Sequence, residues 1–178
     1  MYLMSEFEIP VPNYKDPKEL YAFFGLTFYY AQVLEQGILN LAVGLEGNGL
    51  IKLKEGDLIK LYEQREKHTF GRVLKYVQQA TNLSESQTRN IKEGLAIRNH
   101  LAHEFFAENS VRSLSESGQR DMIDELIVML RRLIEIDSEF DALCKSEFLR
   151  LGLTQEAIDL ELEKINAEAR DYERAEKA

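Results

Sequence analysis

The chain has a single cysteine, no tryptophan and only three prolines among its 178 residues. One cysteine excludes an intrachain disulfide and is typical of proteins in a reducing compartment, so we predict a cytoplasmic protein. Cys144 falls on an apolar helical stripe, which predicts a small core residue and not a nucleophile. All three prolines precede residue 18, so the rest of the chain lacks the residue that most strongly interrupts helices.

Long apolar runs are also missing. The most apolar window, residues 126–136, is broken by Arg131 and Arg132 and is too short to span a bilayer. The first twelve residues carry Glu6 and Glu8 and no basic segment, a pattern unlike a signal peptide. We therefore expect no membrane partner.

The chain has no excess of positive charge, since its formal net charge is −9. The acidic excess lies at the two ends: residues 1–53 carry 3 basic and 6 acidic side chains, and residues 133–178 carry 6 and 13. Residues 54–132 are nearly balanced, with 13 and 12. This distribution argues against broad electrostatic capture of nucleic acid but is compatible with a cleft that holds a few local cations.

Apolar residues recur at helical spacing, and there is no strand-period run, glycine-rich phosphate loop or internal repeat. The pattern predicts an all-α fold, a helical bundle of five or six helices. We predict an irregular N-terminal lead over residues 1–15, the bundle over 16–152, and a charged helical extension over 153–178. The predicted helices cover residues 16–45, 57–67, a segment from 69, a segment from 84 to about 108, 119–151 and a segment from 154.

The first of these helices has an apolar face widened by Phe23, Phe28, Tyr29 and Tyr30. Two interpretations are open: the rings stack on nucleic-acid bases, or they form core or a dimer surface. The plain helical period of the stripe favours the second interpretation.

The fourth predicted helix carries an arginine, an asparagine and two of the three histidines within six residues: Arg98-Asn99-His100-Leu101-Ala102-His103. On a helical wheel, Arg98 lies in the middle of an apolar stripe that is formed by Ile91, Leu95, Ala102 and Phe105. A guanidinium in such a stripe needs a partner or a cleft, because an unpaired buried charge is very costly.

The directions of the polar side chains limit what they can do together. Asn99 and His103 are four residues apart and stack on one face. Arg98 and His103 diverge by about 140° on a straight helix. They can serve one target only if the helix bends or ends near His103, or if a second subunit completes the site. We expect His100, about 200° from Arg98, to face solvent.

The string Arg98-Asn99-His100-Leu101-Ala102-His103 resembles the Arg-x4-6-His motif of the HEPN superfamily (higher eukaryotes and prokaryotes nucleotide-binding), in which a polar residue often follows the arginine. Mannitol-repressor-like proteins carry a similar string. The resemblance covers about residues 17 to 150 and implies a small all-α bundle that dimerises and pairs two motifs in one cleft. In a toxin branch, Tyr follows the histidine by two positions; Phe105 stands there in this chain, so modification of that hydroxyl is not implied.

Many members of that superfamily are metal-independent RNases of toxin or defence systems, and others are inactive binding, scaffold or regulatory modules. The resemblance therefore implies an endoribonuclease whose catalytic residues are Arg98, Asn99 and His103, with RNA and an antitoxin protein as partners. We assign His103 as base or acid, Arg98 as phosphate clamp and Asn99 as the residue that orients the imidazole. No Asp/Glu cluster accompanies the motif at metal spacing, so we predict no metal and no cofactor.

A purely structural interpretation stays open beside this one. In it, Arg98 pairs with a buried carboxylate and His103 caps a carbonyl near the helix end. The two interpretations differ in where the motif lies: a nuclease presents it in an open cleft between subunits, whereas a scaffold keeps it in paired contacts.

Overall fold

A computed structural model of the protein describes residues 7–47 and 70–175. Within these ranges the chain is helical and contains no strand, which confirms the predicted all-α helical bundle. The helix predicted over 57–67 lies outside the described residues. The helices are α1 Glu19–Gly47, α2 Phe70–Ala80, α3 Glu85–His103, α4 Phe105–Glu108, α5 Glu116–Arg150 and α6 Gln155–Ala175, with a 3-10 turn at Arg112–Leu114.

The two longest helices, α1 and α5, pack against each other, and α3 contacts both of them. α2 packs on α1. Apolar side chains of the two long helices form the core. On α1 the predicted stripe members Leu34, Ile38 and Leu41 are buried. On α5 the predicted Leu130 is buried together with Leu126, Leu133 and Ile136, whereas Ile134 and Leu143 of the predicted stripe are only partly buried. Burial of these side chains against one another is the main favourable contribution to folding.

The start of α3 follows from its sequence. Ser84 and Gln87 form a capping box, in which the Gln87 backbone N–H donates to Ser84 Oγ at 3.2 Å and the Ser84 N–H donates to Gln87 Oε1 at 2.9 Å. These bonds satisfy two backbone donors that a helix N-terminus leaves without partners. The cap fixes the start of the helix that carries the motif.

The start of α5 differs from the prediction. The helix begins at Glu116 and not at residue 119, so Gly118 is helical and not the end of a polar loop. The cause is Ser115, whose hydroxyl accepts from the Gly118 N–H at 3.1 Å and caps the helix three residues early. At the other end, Gly152 has a φ of 86°, the left-handed conformation expected of a glycine that follows a helix.

The last helix, α6, is exposed at every side chain that the structure describes. Leu160 and Ile165, members of its thin apolar stripe, are 56% and 55% exposed. None of the helices in the described ranges combines the length and apolarity that crossing a membrane requires.

A buried carboxylate lies in α5. Asp137 is only 2% exposed, and its Oδ1 has no hydrogen-bond partner among the described residues. Burial, assisted by the nearby Asp141, raises the pKa of Asp137 from its ordinary value of 3.8 to about 6. Cys144 is also buried, as predicted for a core residue, and burial raises the pKa of its thiol.

Asp137 is expected to make the protein less stable as the pH rises. Its raised pKa means that the folded state binds the proton more tightly, so its contribution to stability is present below the unfolded pKa and is lost as the pH rises through about 6. A shift of this size corresponds to about 2 to 3 kcal/mol. In Asp137→Asn, urea denaturation should show a free energy of unfolding that depends less on pH between 4 and 7. The exposed Asp121→Asn is the control, and an unchanged pH dependence in Asp137→Asn would contradict the assignment.

Gly94 is required for the close approach of α3 to α1. A Cβ at this position would lie 2.4 Å from Cδ2 of Leu34, a side chain that is only 1% exposed, so the leucine or one of the helices would have to shift. We expect Gly94→Ala to lower the free energy of unfolding by about 1 to 3 kcal/mol through overpacking. Gly25 of α1 has open space around it, so Gly25→Ala should raise stability by up to about 1 kcal/mol through helix propensity. Equal stabilities of the two variants in chemical denaturation would refute the packing argument.

Candidate functional site

The motif helix α3 lies antiparallel to α1. Gly94 lies over Leu34, Arg98 bonds Glu35, and Phe105, just beyond the end of α3, contacts Phe24 with ring centroids 5.7 Å apart. From Gly94 to Phe105 the contacted residue of α1 changes from Leu34 to Phe24, so the two segments run in opposite directions. The motif side chains are therefore held against the middle of the first helix.

Arg98 has a carboxylate partner that sequence reasoning did not find. Its Nε donates to Glu35 Oε2 at 3.0 Å and its Nη2 donates to Glu35 Oε1 at 3.4 Å, a fork on both carboxylate oxygens. The two side chains are 30% and 29% exposed, so this pair lies at the rim of the core and not inside it. A rim pair contributes about 1 kcal/mol or less to stability. In the sequence, the feature that pointed to Glu35 as this partner is its position next to the apolar Leu34 on the first helix.

Asn99 lies next to the arginine and bonds it directly. Arg98 Nη1 donates to Asn99 Oδ1 at 3.3 Å. The structure thus joins two of the three predicted site residues and adds Glu35 to them. The guanidinium keeps part of its surface open, because its side chain remains 30% exposed.

The buried face of α3 is displaced from the predicted stripe. Ile91 and Phe105 are buried as predicted, but Ala102 is exposed and Leu101 is buried at 3% exposure. The buried face of α3 therefore runs through Gly94 and Leu101, and Ala102 lies on the exposed side.

His103 is the last residue of α3, and its side chain is exposed. It makes no hydrogen bond or ion pair with other residues in the described part of the chain, so the capping role of the structural interpretation is not seen there. Its position one turn beyond Asn99 leaves the imidazole open to a ligand or a second subunit.

The helix is interrupted directly after His103. Glu104 has φ −121° and ψ −35°, outside helical values, and α4 resumes at Phe105. The predicted continuous helix to about residue 108 is therefore two segments. Phe105 is fully buried against Phe24, and we attribute the break to the burial of this ring. A helix end at His103 is one of the conditions under which Arg98 and His103 can serve one target.

His100 does not face open solvent, contrary to expectation. Its side chain is 23% exposed, its ring meets Phe105 edge-on at 5.9 Å, and its Nδ1 lies 3.5 Å from Glu104 Oε2 and 3.7 Å from Glu108 Oε2. The physical reason is that the buried Phe105 ring and the two glutamate side chains lie against the imidazole. These side chains have the spacing His-x3-Glu-x3-Glu, so the expectation that no Asp/Glu cluster accompanies the motif at metal spacing is wrong here.

The aromatic stripe of α1 divides into buried and exposed members. Phe23 and Tyr30 are buried, which confirms the core interpretation for these two, whereas Tyr29 is 57% exposed. Near the start of α1 a second group reaches the surface: Tyr21 stacks on Phe106 at 6.1 Å, and Phe106 contacts Phe24 at 4.8 Å. This exposed aromatic surface lies beside the break in the motif helix.

A second arginine of the bundle bonds a glutamate through two nitrogens, as Arg98 does. Arg132 of α5 donates to both carboxylate oxygens of Glu93, from Nε at 2.9 Å and from Nη2 at 2.8 Å, and also to Asn90 Oδ1. These bonds hold the pKa of Glu93 below its usual value. Two arginine–glutamate pairs therefore connect α3 to its neighbours, Glu93 to α5 and Arg98 to α1.

Comparison with known proteins adds no relative to this description. No family model, no curated protein and no solved structure matches the chain.

Proposed function

We propose that the protein is a metal-independent endoribonuclease of the toxin or defence type, which uses Arg98, Asn99 and His103 at a cleft between two subunits. The observation that supports this function best is the exposed His103 at a helix end, one turn beyond an asparagine that already bonds the half-exposed Arg98. The resemblance of residues 98–103 to the HEPN motif supports the same function.

Metal-independent cleavage of RNA requires a base, an acid and a cationic group near the phosphate. The 2′-hydroxyl oxygen of RNA attacks the adjacent phosphorus, the bond from phosphorus to the 5′-oxygen breaks, and a 2′,3′-cyclic phosphate forms. A base takes the 2′-hydroxyl proton, and an acid gives a proton to the leaving oxygen. His103 supplies one of these roles, and His103 of a second copy supplies the other. Arg98 steadies the charge that develops on the phosphate.

Glu35 has a defined effect in this scheme. Its carboxylate occupies the donors of Arg98 that a phosphate would use, so RNA must displace or share the fork. Because both side chains are partly exposed, this exchange has a small free-energy cost. Glu35 therefore tunes how readily the arginine binds phosphate.

A non-catalytic binding or regulatory module is the second candidate. The observation that favours it is the similarity of the Arg98–Glu35 fork to the Arg132–Glu93 fork, which connects helices away from the motif. In this function Arg98 holds α3 to α1, and the exposed His103 and aromatic surface contact a partner such as an antitoxin protein.

We expect the protein to be a homodimer at micromolar concentration. The proposed chemistry needs a base and an acid, and each copy supplies one His103, so a second copy completes the site. Tyr21, Tyr29 and Phe106 also leave apolar surface exposed. Light scattering should give twice the chain mass of 20.6 kDa. A mass of one chain at all concentrations tested would exclude the shared cleft.

The purified protein should cleave single-stranded or loop RNA in EDTA and leave DNA intact, because the nucleophile is the 2′-hydroxyl of the substrate. His103→Ala should lower the rate by about 10² to 10⁴-fold through loss of proton transfer. Arg98→Ala should lower it by about 10² to 10³-fold through loss of charge stabilisation. Gel analysis of end-labelled RNA, with detection of the cyclic phosphate, measures both effects.

Arg132→Ala is the matched control for the arginine, since it removes a similar fork from the same bundle and should keep the activity. Glu35→Gln should lower KM, because a neutral amide competes less with phosphate for Arg98. Cleavage that His103→Ala retains would point to a contaminating nuclease. The absence of cleavage with every RNA tested would favour the binding module.

A further inference from the structure

Three side chains of the motif region converge on one point outside the proposed cleavage residues. His100, Glu104 and Glu108 come from successive turns, and their ligand atoms lie within 4.8 Å of one another. On an uninterrupted helix, residues eight apart are separated by about 12 Å along the axis. Here the side chains span that rise, and Nδ1 of His100 and Oε2 of Glu108 are 3.7 Å apart across the non-helical Glu104.

The separations suit a shared cation better than a hydrogen bond. Nδ1 of His100 lies 3.5 Å and 3.7 Å from the two carboxylate oxygens, beyond the usual hydrogen-bond length of about 2.7 to 3.2 Å. In a tetrahedral zinc site with bonds of about 2.0 to 2.1 Å, neighbouring ligand atoms lie about 3.3 to 3.4 Å apart. The two imidazole–carboxylate separations are close to these values, and all the ligand atoms lie within 4.8 Å of one another, so an ion would draw the exposed glutamate side chains together.

The charges of the neighbouring side chains also favour a bound cation. Neither Glu104 nor Glu108 has a lysine or arginine within ion-pair distance in the described ranges, whereas Glu35, Glu93 and Glu125 each have an arginine. Two carboxylates thus face a single imidazole that is neutral when it binds a metal. A divalent cation is the partner that would balance this charge.

The imidazole is also held in place for this role. Its ring meets the buried Phe105 edge-on, and its side chain is only 23% exposed, so Nδ1 is directed toward the carboxylates and has little freedom to turn away. Glu104 and Glu108 are each 62% exposed, which gives an ion access from solvent. One nitrogen and two oxygens leave a coordination position for water.

We propose that His100, Glu104 and Glu108 form a site for a divalent transition-metal ion of the zinc type. The ion would connect α3 to α4 across the break and fix the conformation of Glu104, the residue next to His103. The site lies outside the proposed cleavage chemistry and does not depend on it.

Isothermal titration of the chelator-treated full chain with Zn²⁺ tests the site. We expect one ion per chain and a rise in the midpoint of thermal unfolding with added Zn²⁺. His100→Ala and Glu104→Gln should each weaken binding at least tenfold and abolish the rise. His103→Ala, which removes the neighbouring exposed histidine, is the matched control and should bind as the wild type does.

Co²⁺ provides a second measurement, because its visible absorption reports coordination geometry. Intense bands that His100→Ala loses and His103→Ala keeps would support a four-coordinate site at these residues. No binding by the wild type, or Zn²⁺ binding that survives both His100→Ala and Glu104→Gln, would overturn the proposal. Circular dichroism of each variant excludes unfolding as the cause of lost binding. The RNase assay in EDTA is a separate readout, so either proposal can fail without the other.

Discussion

The close approach of α3 to α1 is the constraint on which the candidate site depends. Gly94 has no side chain to separate the helices, and Leu34 occupies the space beside it. One turn further along, the same proximity brings Arg98 within hydrogen-bond distance of Glu35. A wider spacing would remove the carboxylate partner and leave the partly exposed guanidinium to water or to a ligand, at a cost of about 1 kcal/mol or less.

The burial of Phe105 is a second constraint. This ring is fully buried, and we attribute the departure from helical geometry at Glu104 to its packing. On the two sides of this break, His103 is a helix end and Glu108 lies close to His100. The proposed cleavage residue and the proposed metal site are therefore neighbours.

The two arginine–glutamate pairs have similar geometry. An experiment is therefore needed to distinguish a catalytic role of Arg98 from a role in helix packing. Arg98 and Arg132 both bond a glutamate through two nitrogens, and both hold α3 in the bundle. Only Arg98 also bonds the asparagine of the motif and stands near the exposed histidine in sequence. A variant pair that removes one fork at a time distinguishes chemistry from helix packing.

The all-helical architecture was readable from the sequence, because apolar period and local caps such as Ser84 act within a few residues, whereas the start of α5 and the interruption at Glu104 were not. The sequence also placed Cys144 in the core and Arg98 on a face that needs a partner. Only the tertiary structure decided which carboxylate serves that arginine, since Glu35 is distant in sequence and its contact depends on how closely two helices pack. The orientation of His100 likewise followed from the burial of Phe105, a balance between core packing and helix regularity that no local pattern reveals.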